Sequence, residues 1–415
     1  MGVMPDHPAP TPVRARSPYR WVLMLGALAA LPAFTVDMYL PSLPEVAADL
    51  GSSASFAQLS VSVMLIGGAM GQLVIGPLSD RFGRRAPLLW GLGLHILTSL
   101  LCAFAPNMTV LVGLRLLQGF FNAACGVAAM AVVRDRFVGA EAARILSRLM
   151  LVIGVAPMLA PTFGSAVAAA AGWRWVFAVL ALAGVVMAVV VWQLMPETLP
   201  AERRQTGGGL GHVFAGYRVL LRDRRFMALA VIPGLGQAVL MSYVVGSPFV
   251  FQEGYGLTHA QFSLLFALNG LGLVLSAQVN AALVRRVAPI RILRAAMAIQ
   301  GVFAVGLLVV ALTEAGGLIG LLAVLWVVLA FQGLIPANAS AIALSRHGER
   351  AGTAAAVIGA VQSGVAGAVS PLVGVLGGGT VAMASVMLGA LCCSLLVLAL
   401  ATPAYRRGGW VELAH

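Results

Sequence analysis

Twelve apolar runs of about 20 residues decide what this chain can fold into, because a helix of that length crosses a bilayer's hydrocarbon core. They lie at roughly 21–43, 56–78, 87–105, 108–132, 147–170, 174–195, 227–251, 260–283, 293–312, 317–341, 353–376 and 381–403. Alanine, leucine and glycine dominate them, and no segment has the alternating pattern of a membrane barrel strand. Of the 415 residues, 60% are hydrophobic and 10% charged, whereas soluble domains carry about a quarter charged residues. The expected fold class is an all-α membrane protein with twelve transmembrane helices.

The net charge of +12 comes from 26 arginines against 14 acidic residues, with no lysine. A Walker phosphate loop needs its lysine, so a primary ATP pump within this chain is excluded. A cytoplasmic N-terminus puts 24 of the 26 arginines on the inner side. They are Arg14, Arg16 and Arg20, then Arg81, Arg84 and Arg85, then Arg134, Arg136, Arg144 and Arg148. The middle loop adds Arg203, Arg204, Arg218, Arg222, Arg224 and Arg225. Arg285, Arg286, Arg291, Arg294, Arg346, Arg350, Arg406 and Arg407 complete the set. Arg174 falls outside and Arg115 within a helix, while the outer loops hold Glu45, Asp49, Glu253 and Glu314. The positive-inside rule therefore expects both termini in the cytoplasm. On this view the basic charge reflects topology, and no nucleic-acid partner is expected.

Residues 13–35 have the basic flank and apolar core of a signal peptide, but the run continues to Asp37 and Pro41, so it is expected to stay attached. Lack of lysine points to a GC-rich bacterial genome, and hence to a multi-pass place in the inner membrane. Cys102, Cys125, Cys392 and Cys393 all fall in apolar runs and are expected to be buried hydrophobes. No metal-ligand spacing of Cys and His occurs, so no metal is expected.

Residues 196–226 form the longest polar stretch, with Gly207, Gly208, Gly209 and six arginines, as suits a tether. Six predicted spans lie on either side, dividing the chain into 1–195, the linker 196–226 and 227–415. The halves echo each other. Ala57-Gln58-Leu59-Ser60 opens helix 2 and Ala260-Gln261-Phe262-Ser263 opens helix 8. Arg84-Arg85 corresponds to Arg285-Arg286, and Arg115 to Gly119 corresponds to Leu329 to Gly333. A parallel repeat is the arrangement of transporters that rock two bundles around a central site.

Asp37 is the one acidic residue well inside a predicted span. Burying such a group costs about 2.5–3.5 kcal/mol even on a lenient insertion scale, so a compensating role is expected. Arg115 poses the same problem. At 1.5 Å rise per residue both sit roughly 9–11 Å below the outer boundary, where they can face each other across a wet cavity. Two readings stay open: a static ion pair locking helices 1 and 4, or a titrating site. Neighbours of both kinds act on the proton affinity of a carboxyl group so placed.

Arg115, Gln118 or Gly119, and Asn122 recur at helical spacing and share a face. Gln237, Tyr243, Asn269, Gln332 and Asn338 are further candidates for the cavity, or else for hydrogen bonds between helices. Tyr39 and Phe249 can stack on the ring of a ligand or anchor a span at the interface. Gly154, Pro157, Pro161 and Gly164 in helix 5, and Gly67 and Gly71 in helix 2, favour kinks and close packing over direct binding.

The segment Gly76-Pro77-Leu78-Ser79-Asp80-Arg81-Phe82-Gly83-Arg84-Arg85 resembles the signature loop between helices 2 and 3 of the major facilitator superfamily. Arg115, Gln118 and Gly119 are similar to its helix 4 motif, and Gly154, Pro157, Pro161 and Gly164 to the helix 5 motif of its drug:proton antiporters. Val36 to Pro44 and Pro196-Glu197-Thr198-Leu199 resemble the Bcr/CflA group, exporters of bicyclomycin and chloramphenicol-type drugs. The helix 5 segment departs from the usual Gly-Pro-x-x-Gly-Gly, reading Ala160-Pro161-Thr162-Phe163-Gly164-Ser165. The second-half loop keeps Arg285 and Arg286 without the acid.

The resemblance implies two six-helix bundles in the major facilitator fold. It also implies a proton-coupled antiporter of small drugs, with Asp37 as the proton and substrate site beside Arg115. Asp80 would be a cytoplasmic gate latch among Gly76, Arg81, Gly83, Arg84 and Arg134. Such a carrier is expected to act as a monomer in the lipid bilayer, driven by the proton gradient without a cofactor. The alternative is a proton-coupled or facilitative carrier of a small metabolite. An intramembrane enzyme is not expected, since neither His-Glu-x-x-His nor Gly-x-Ser-x-Gly occurs.

Overall fold

The computed structural model describes residues 18–204, 217–345 and 351–401. Arg14, Arg16, Gly207, Gly208, Gly209, Arg346, Arg350, Arg406 and Arg407 lie outside the described residues. Among the described residues, twelve helical spans are long and apolar enough to cross a membrane. The first six are Arg20–Asp49, Ala54–Phe82, Arg85–Ala103, Met108–Arg136, Gly139–Ala171 and Trp173–Leu194. The last six are Arg224–Gly254, His259–Leu283, Pro289–Thr313, Gly317–Ser345, Gly352–Val375 and Thr380–Leu400. They are called spans 1 to 12 below.

Several spans start where the sequence supplies a cap. Ser53 accepts from the Phe56 amide at the head of span 2, and Asn107 accepts from that of Val110 at the head of span 4. Thr258 and Gln261 form a capping box at the head of span 8. Two spans expected to be continuous are broken. In span 1 the α-helix ends at Asp37, followed by a short turn Leu40–Ser42 and a helix Leu43–Asp49. Pro41 has no N–H to offer the Asp37 carbonyl four residues earlier. In span 10 the helix Gly317–Gln332 gives way to Ile335–Ser345, and Pro336 leaves the Gln332 carbonyl without its helical donor.

The pairing of helices repeats between the halves. Span 1 packs on spans 4, 5 and 6, span 2 on 4, and span 3 on 4 and 6. In the same way span 7 packs on 10, 11 and 12, span 8 on 10, and span 9 on 10 and 12. The two bundles meet through span 2 against span 11 and span 5 against span 8, an exchange that also respects the repeat. Glycines set the closest approaches. A side-chain carbon at Gly67, Gly71 or Gly119 would overlap the backbone of the opposite helix in the span 2–span 4 contact, and one at Gly164 would overlap Met38 of span 1. Gly333 in span 10 meets Ser276 and Leu273 of span 8, as Gly119 meets Met64.

The apolar core is divided unevenly. One cluster joins both bundles at the end away from the arginines, combining Tyr39, Leu43 and Phe177 with Val244, Phe251, Met383 and Met387. At the arginine-rich end there are two separate clusters. One, around Trp21, Leu25 and Phe137, belongs to the first bundle; the other, around Phe226, Leu293 and Leu398, belongs to the second. Large apolar side chains such as Trp90, Leu182, Trp192, Leu264, Val302 and Ile319 point outward, which suits a surface solvated by lipid tails. Cys102 and Cys125 are buried, but Cys392 and Cys393 are exposed on the outward face of span 12, against the expectation of burial.

Candidate functional site

A cavity of 1040 Å³ lies between the bundles. Spans 1, 2 and 4 form one wall through residues that include Pro32, Val36, Met64, Gln72 and Asn122, and span 11 faces them with Thr353, Gln362 and Ser363. The cavity reaches the arginine-rich face among Asp80, Arg84, Arg134 and Gly352, of which Arg134 and Gly352 are exposed. From Asp80 inward to Met64 the helix rises roughly 24 Å at 1.5 Å per residue, so the cavity penetrates most of the membrane thickness.

The opposite end is sealed by hydrogen bonds between bundles. Ser62 and Ser370 share one at 2.9 Å, Ser165 and Ser263 another at 2.6 Å, and Ser55 donates to the Gly374 carbonyl at 2.7 Å. Gln252 donates to the Pro41 carbonyl at 3.0 Å, and Ser263 lies 3.1 Å from the Pro161 carbonyl. At the arginine-rich end Tyr217, just ahead of span 7, donates to the Leu73 carbonyl at 3.2 Å. That acceptor is available because Pro77, four residues on in span 2, has no N–H. Burial and the nearby Asp80 carboxylate push the Tyr217 phenol above its ordinary pKa, so it remains a donor.

Asp37 is 5% exposed and forms neither a hydrogen bond nor an ion pair among the described residues. The static ion pair with Arg115, one of the two readings the sequence leaves open, is not formed among the described residues. The end of the first helix at Asp37 leaves the Thr35 carbonyl without a helical donor, and Arg115 Nη1 donates to it at 3.0 Å and to Gln118 Oε1 at 2.7 Å. The guanidinium also lies 4.9 Å from the Tyr39 ring centre and 5.6 Å from that of Phe177. Its Nε and Nη2 are buried without partners. Nor does Asp37 line the cavity, although its chain neighbour Val36 does.

Most of the other membrane-embedded candidates are tied to neighbouring helices. Tyr39 is fully buried, its ring tilted at 44° to that of Phe177 and its hydroxyl 3.3 Å from that of Ser60, and it does not line the cavity. Gln118 donates to Ser99 at 2.7 Å, and Gln332 accepts from Gln300 at 3.0 Å. Asn269 donates to the Tyr243 hydroxyl at 3.1 Å, and Asn338 to Asn280 at 2.7 Å. Phe249 is buried, and Gln237 is partly exposed outside the cavity lining. Asn122 differs: it lines the cavity, is 1% exposed, and neither amide atom has a partner. Leaving such a buried group unsatisfied costs about 1–3 kcal/mol. Gln72, Gln362 and Ser363 also line the cavity, and sequence reasoning did not single them out.

The arginine-rich rim is a compact charge network. Arg84, 4% exposed, holds Asp80 at 2.5 Å and Asp135 at 2.7 Å. Burial opposes its charge, but the two carboxylates outweigh that and hold its pKa above normal. Asp135 is a partner the sequence pattern did not reveal, while Arg134 lines the cavity and lies beside Gly352 of span 11. Gly83, with φ +92°, makes a turn that side-chain-bearing residues rarely adopt. Glu197 packs against that turn and accepts from the amides of Arg84 at 2.8 Å and Arg85 at 3.3 Å. Burial alone would raise the Glu197 pKa, yet those bonds and the amides of Leu199 and Thr198 hold it below the usual range. Gly76 lines the cavity, and Arg81 lies over the Phe82 ring at 5.4 Å. In span 5 Gly154 faces Val274 of span 8, and Pro157 and Pro161 sit inside the helix.

The model of the Major Facilitator Superfamily matches residues 23–371. The chain is 38% identical over 351 residues to YdgK, an uncharacterized MFS-type transporter of Bacillus subtilis, covering 84% of this chain and 87% of that protein. It is 32% identical over 384 residues to a bicyclomycin resistance protein homologue of Haemophilus influenzae, covering 92% and 96%. A chloramphenicol resistance protein of Pseudomonas aeruginosa is 30% identical over 311 residues, with 74% and 72% covered. Among solved structures, a D-xylose-proton symporter superposes with TM-score 0.73 at 14% identity, covering 92% of this chain and 97% of that one. A bacterial homologue of the human lysosomal transporter Spinster, in an inward-facing and unoccupied conformation, gives 0.68 at 14% identity over 94% and 96%. Likeness at that identity speaks to the fold. A multi-pass inner-membrane transporter, rather than an enzyme, follows from the sequence relatives. The loop from Gly76 to Arg85 thus points where the whole chain does, and the protein belongs to the Major Facilitator Superfamily, among relatives named for drug resistance.

Proposed function

We propose that the chain is a proton-coupled antiporter that exports small drugs by alternating access, with Asp37 carrying the proton. The observation behind this is the isolation of Asp37, buried next in sequence to the cavity-lining Val36, its side chain bonded to no described residue. An ionisable group inside a membrane helix that serves no structural bond is a functional group by default. Arg115 keeps two buried donors, Nε and Nη2, uncommitted. When Asp37 releases its proton toward the cytoplasm, those donors take up the carboxylate and the wall around Val36 shifts.

The arginine-rich face is cytoplasmic in this scheme, so the cavity loads from inside. Residues 1–195 and 227–415 then rock as two bodies on the 196–226 tether. The Asp80–Arg84–Asp135 cluster closes against span 11 when the cavity shuts. Drug and proton must favour different arrangements, because a ligand with equal affinity for both moves no equilibrium. The names of the relatives favour drugs over nutrients as cargo.

The test uses inverted vesicles carrying a pH gradient. Wild type is expected to dissipate the gradient when an exported drug is added, and Asp37→Asn to reach the membrane in normal amount without doing so. Drug-dependent proton movement at the wild-type rate in Asp37→Asn would remove Asp37 from the coupling step.

A further inference from the structure

Three polar residues of span 2 face the second bundle in the seal at the end away from the arginines. Ser55, Gln58 and Ser62 recur at intervals of three and four, which places them on one face of the helix. Ser55 donates to the Gly374 carbonyl at 2.7 Å, and Ser62 shares a hydrogen bond with Ser370 at 2.9 Å. Gln58, between them, is fully buried, and neither atom of its carboxamide has a partner. A side-chain carbon added at Gly374 would stand 2.7 Å from its Oε1, and one at Gly378 would stand 3.9 Å from its Nε2. The amide therefore lies against the second bundle.

The backbone around it explains the isolation. The Gly374 carbonyl accepts from Ser55 and from the Gly377 amide at 3.0 Å, which uses both of its lone pairs. The Gly378 amide donates to the Val373 carbonyl at 2.9 Å. The internal repeat supplies the contrast. Gln261, the counterpart of Gln58, stands three residues after the cap Thr258, accepts from the Thr258 amide at 2.9 Å and completes a capping box. Span 2 is capped by Ser53, five residues before Gln58, so the same glutamine falls past the reach of the helix end and into the seam.

In the sealed arrangement the Gln58 amide has given up water and gained no bond, which disfavours that arrangement. It lies four residues beyond Ala54, the first of the span and roughly 6 Å from it, so water reaches the amide once span 11 moves away. Resting on the alternating-access reading, we infer that Gln58 is a spring built into the seal. Its unmade hydrogen bonds oppose the serine pairs on either side while this end is shut, and they form with water as the bundles part. Gln58 thus sets the balance between the two arrangements without touching what the cavity holds.

Gln58→Met tests this, since methionine keeps the length of the side chain and fills the space without an amide. The separation of the bundles is read as the distance between spin labels on Ala170→Cys and Ala315→Cys, exposed sites of the first and second bundle at the sealed end. Cys392 and Cys393, the exposed native thiols, are replaced by alanine. The full chain is held in lipid nanodiscs without a gradient, and pH is varied until the wild type populates a short and a long distance. In that buffer Gln58→Met is expected to lower the ratio of long to short at least about fivefold and to raise the thermal unfolding midpoint. Gln261→Met, which removes a bonded amide, is expected to lower the midpoint and keep the wild-type ratio. Gln58→Leu reads the same quantities if the methionine variant fails to fold. An unchanged ratio means that trapped water satisfies the amide in the seal, and it overturns the inference. A shift toward the long distance, or an equal fall in Gln261→Met, does the same. A wild type that keeps one distance at every pH and with drug added removes alternating access itself. Two distances that Gln58→Met leaves in balance remove only the role of Gln58.

Discussion

The two bundles pair their helices alike but treat polar groups differently. In the first, Gln118 ties span 4 to span 3 and Gly119 lets span 4 press on span 2. In the second, Gln332 ties span 10 to span 9 and Gly333 presses on span 8. Three residues before each glutamine the likeness ends, with Arg115 in one bundle and Leu329 in the other. Around Arg115 gather the broken helix at Asp37, the Tyr39 and Phe177 rings and two unpartnered donors. Its counterpart region holds neutral, mutually bonded pairs: Asn269 with Tyr243, and Asn280 with Asn338. The packing chemistry is alike in the two halves, while the charge at Arg115 has the neutral Leu329 as its counterpart.

That contrast can be attacked directly. Arg115→Leu writes the second bundle's residue into the first, and export should fall to background. The thermal unfolding midpoint should move little, because lost hydrogen bonds and relieved burial of a charge oppose each other. Export at the wild-type rate would make the asymmetry incidental. Next in size, Gly119→Ala should cost about 1–3 kcal/mol of stability by overpacking. Gly333→Ala should cost less, because the nearest obstacle there is the Ser276 hydroxyl and the Leu273 carbonyl stands farther off, at 2.6 Å, than the Met64 carbonyl that Gly119 meets. An equal loss in thermal unfolding experiments would mean that the two seams are equally rigid. The smallest effect is expected for Asn338→Ala, which strands Asn280. About 0.6–1.7 kcal/mol should be lost with transport retained, and a transport defect without destabilisation would extend the functional site into the second bundle.

The fold was largely legible because apolar length and arginine placement are one-dimensional signals. All twelve spans were visible, and so was the correspondence of Gln118-Gly119 with Gln332-Gly333. The breaks at Asp37 and Gln332 were also written in the chain, as Pro41 and Pro336, but apolar composition runs straight through them and masks the missing donors. The candidate site was less legible. Polarity identifies Gln118, Tyr243, Asn269, Gln332 and Asn338 as groups that need partners in lipid, yet helix rotation decides whether the partner is a neighbour or the cavity. Gln72 and Gln362 escaped notice because an uncharged amide near a helix middle is not costly enough to stand out. Asp135 stands 51 positions from Arg84 and is joined to it only by the packing of span 4 beside the loop.

One apolar core spans both bundles at the far end, whereas the arginine-rich end has two separate clusters, the second of which reaches the first bundle at Leu73 of span 2. The two faces are therefore unequal doors. Parting the far one exposes oily surface to water at roughly 25 cal/mol per Å², so about 200 Å² corresponds to some 5 kcal/mol. A swing from 1:99 to 99:1 between two states requires a bias of about that size. In the proposed alternating scheme, the heavy door is the step that needs a driving bias of that size, and the light one needs less.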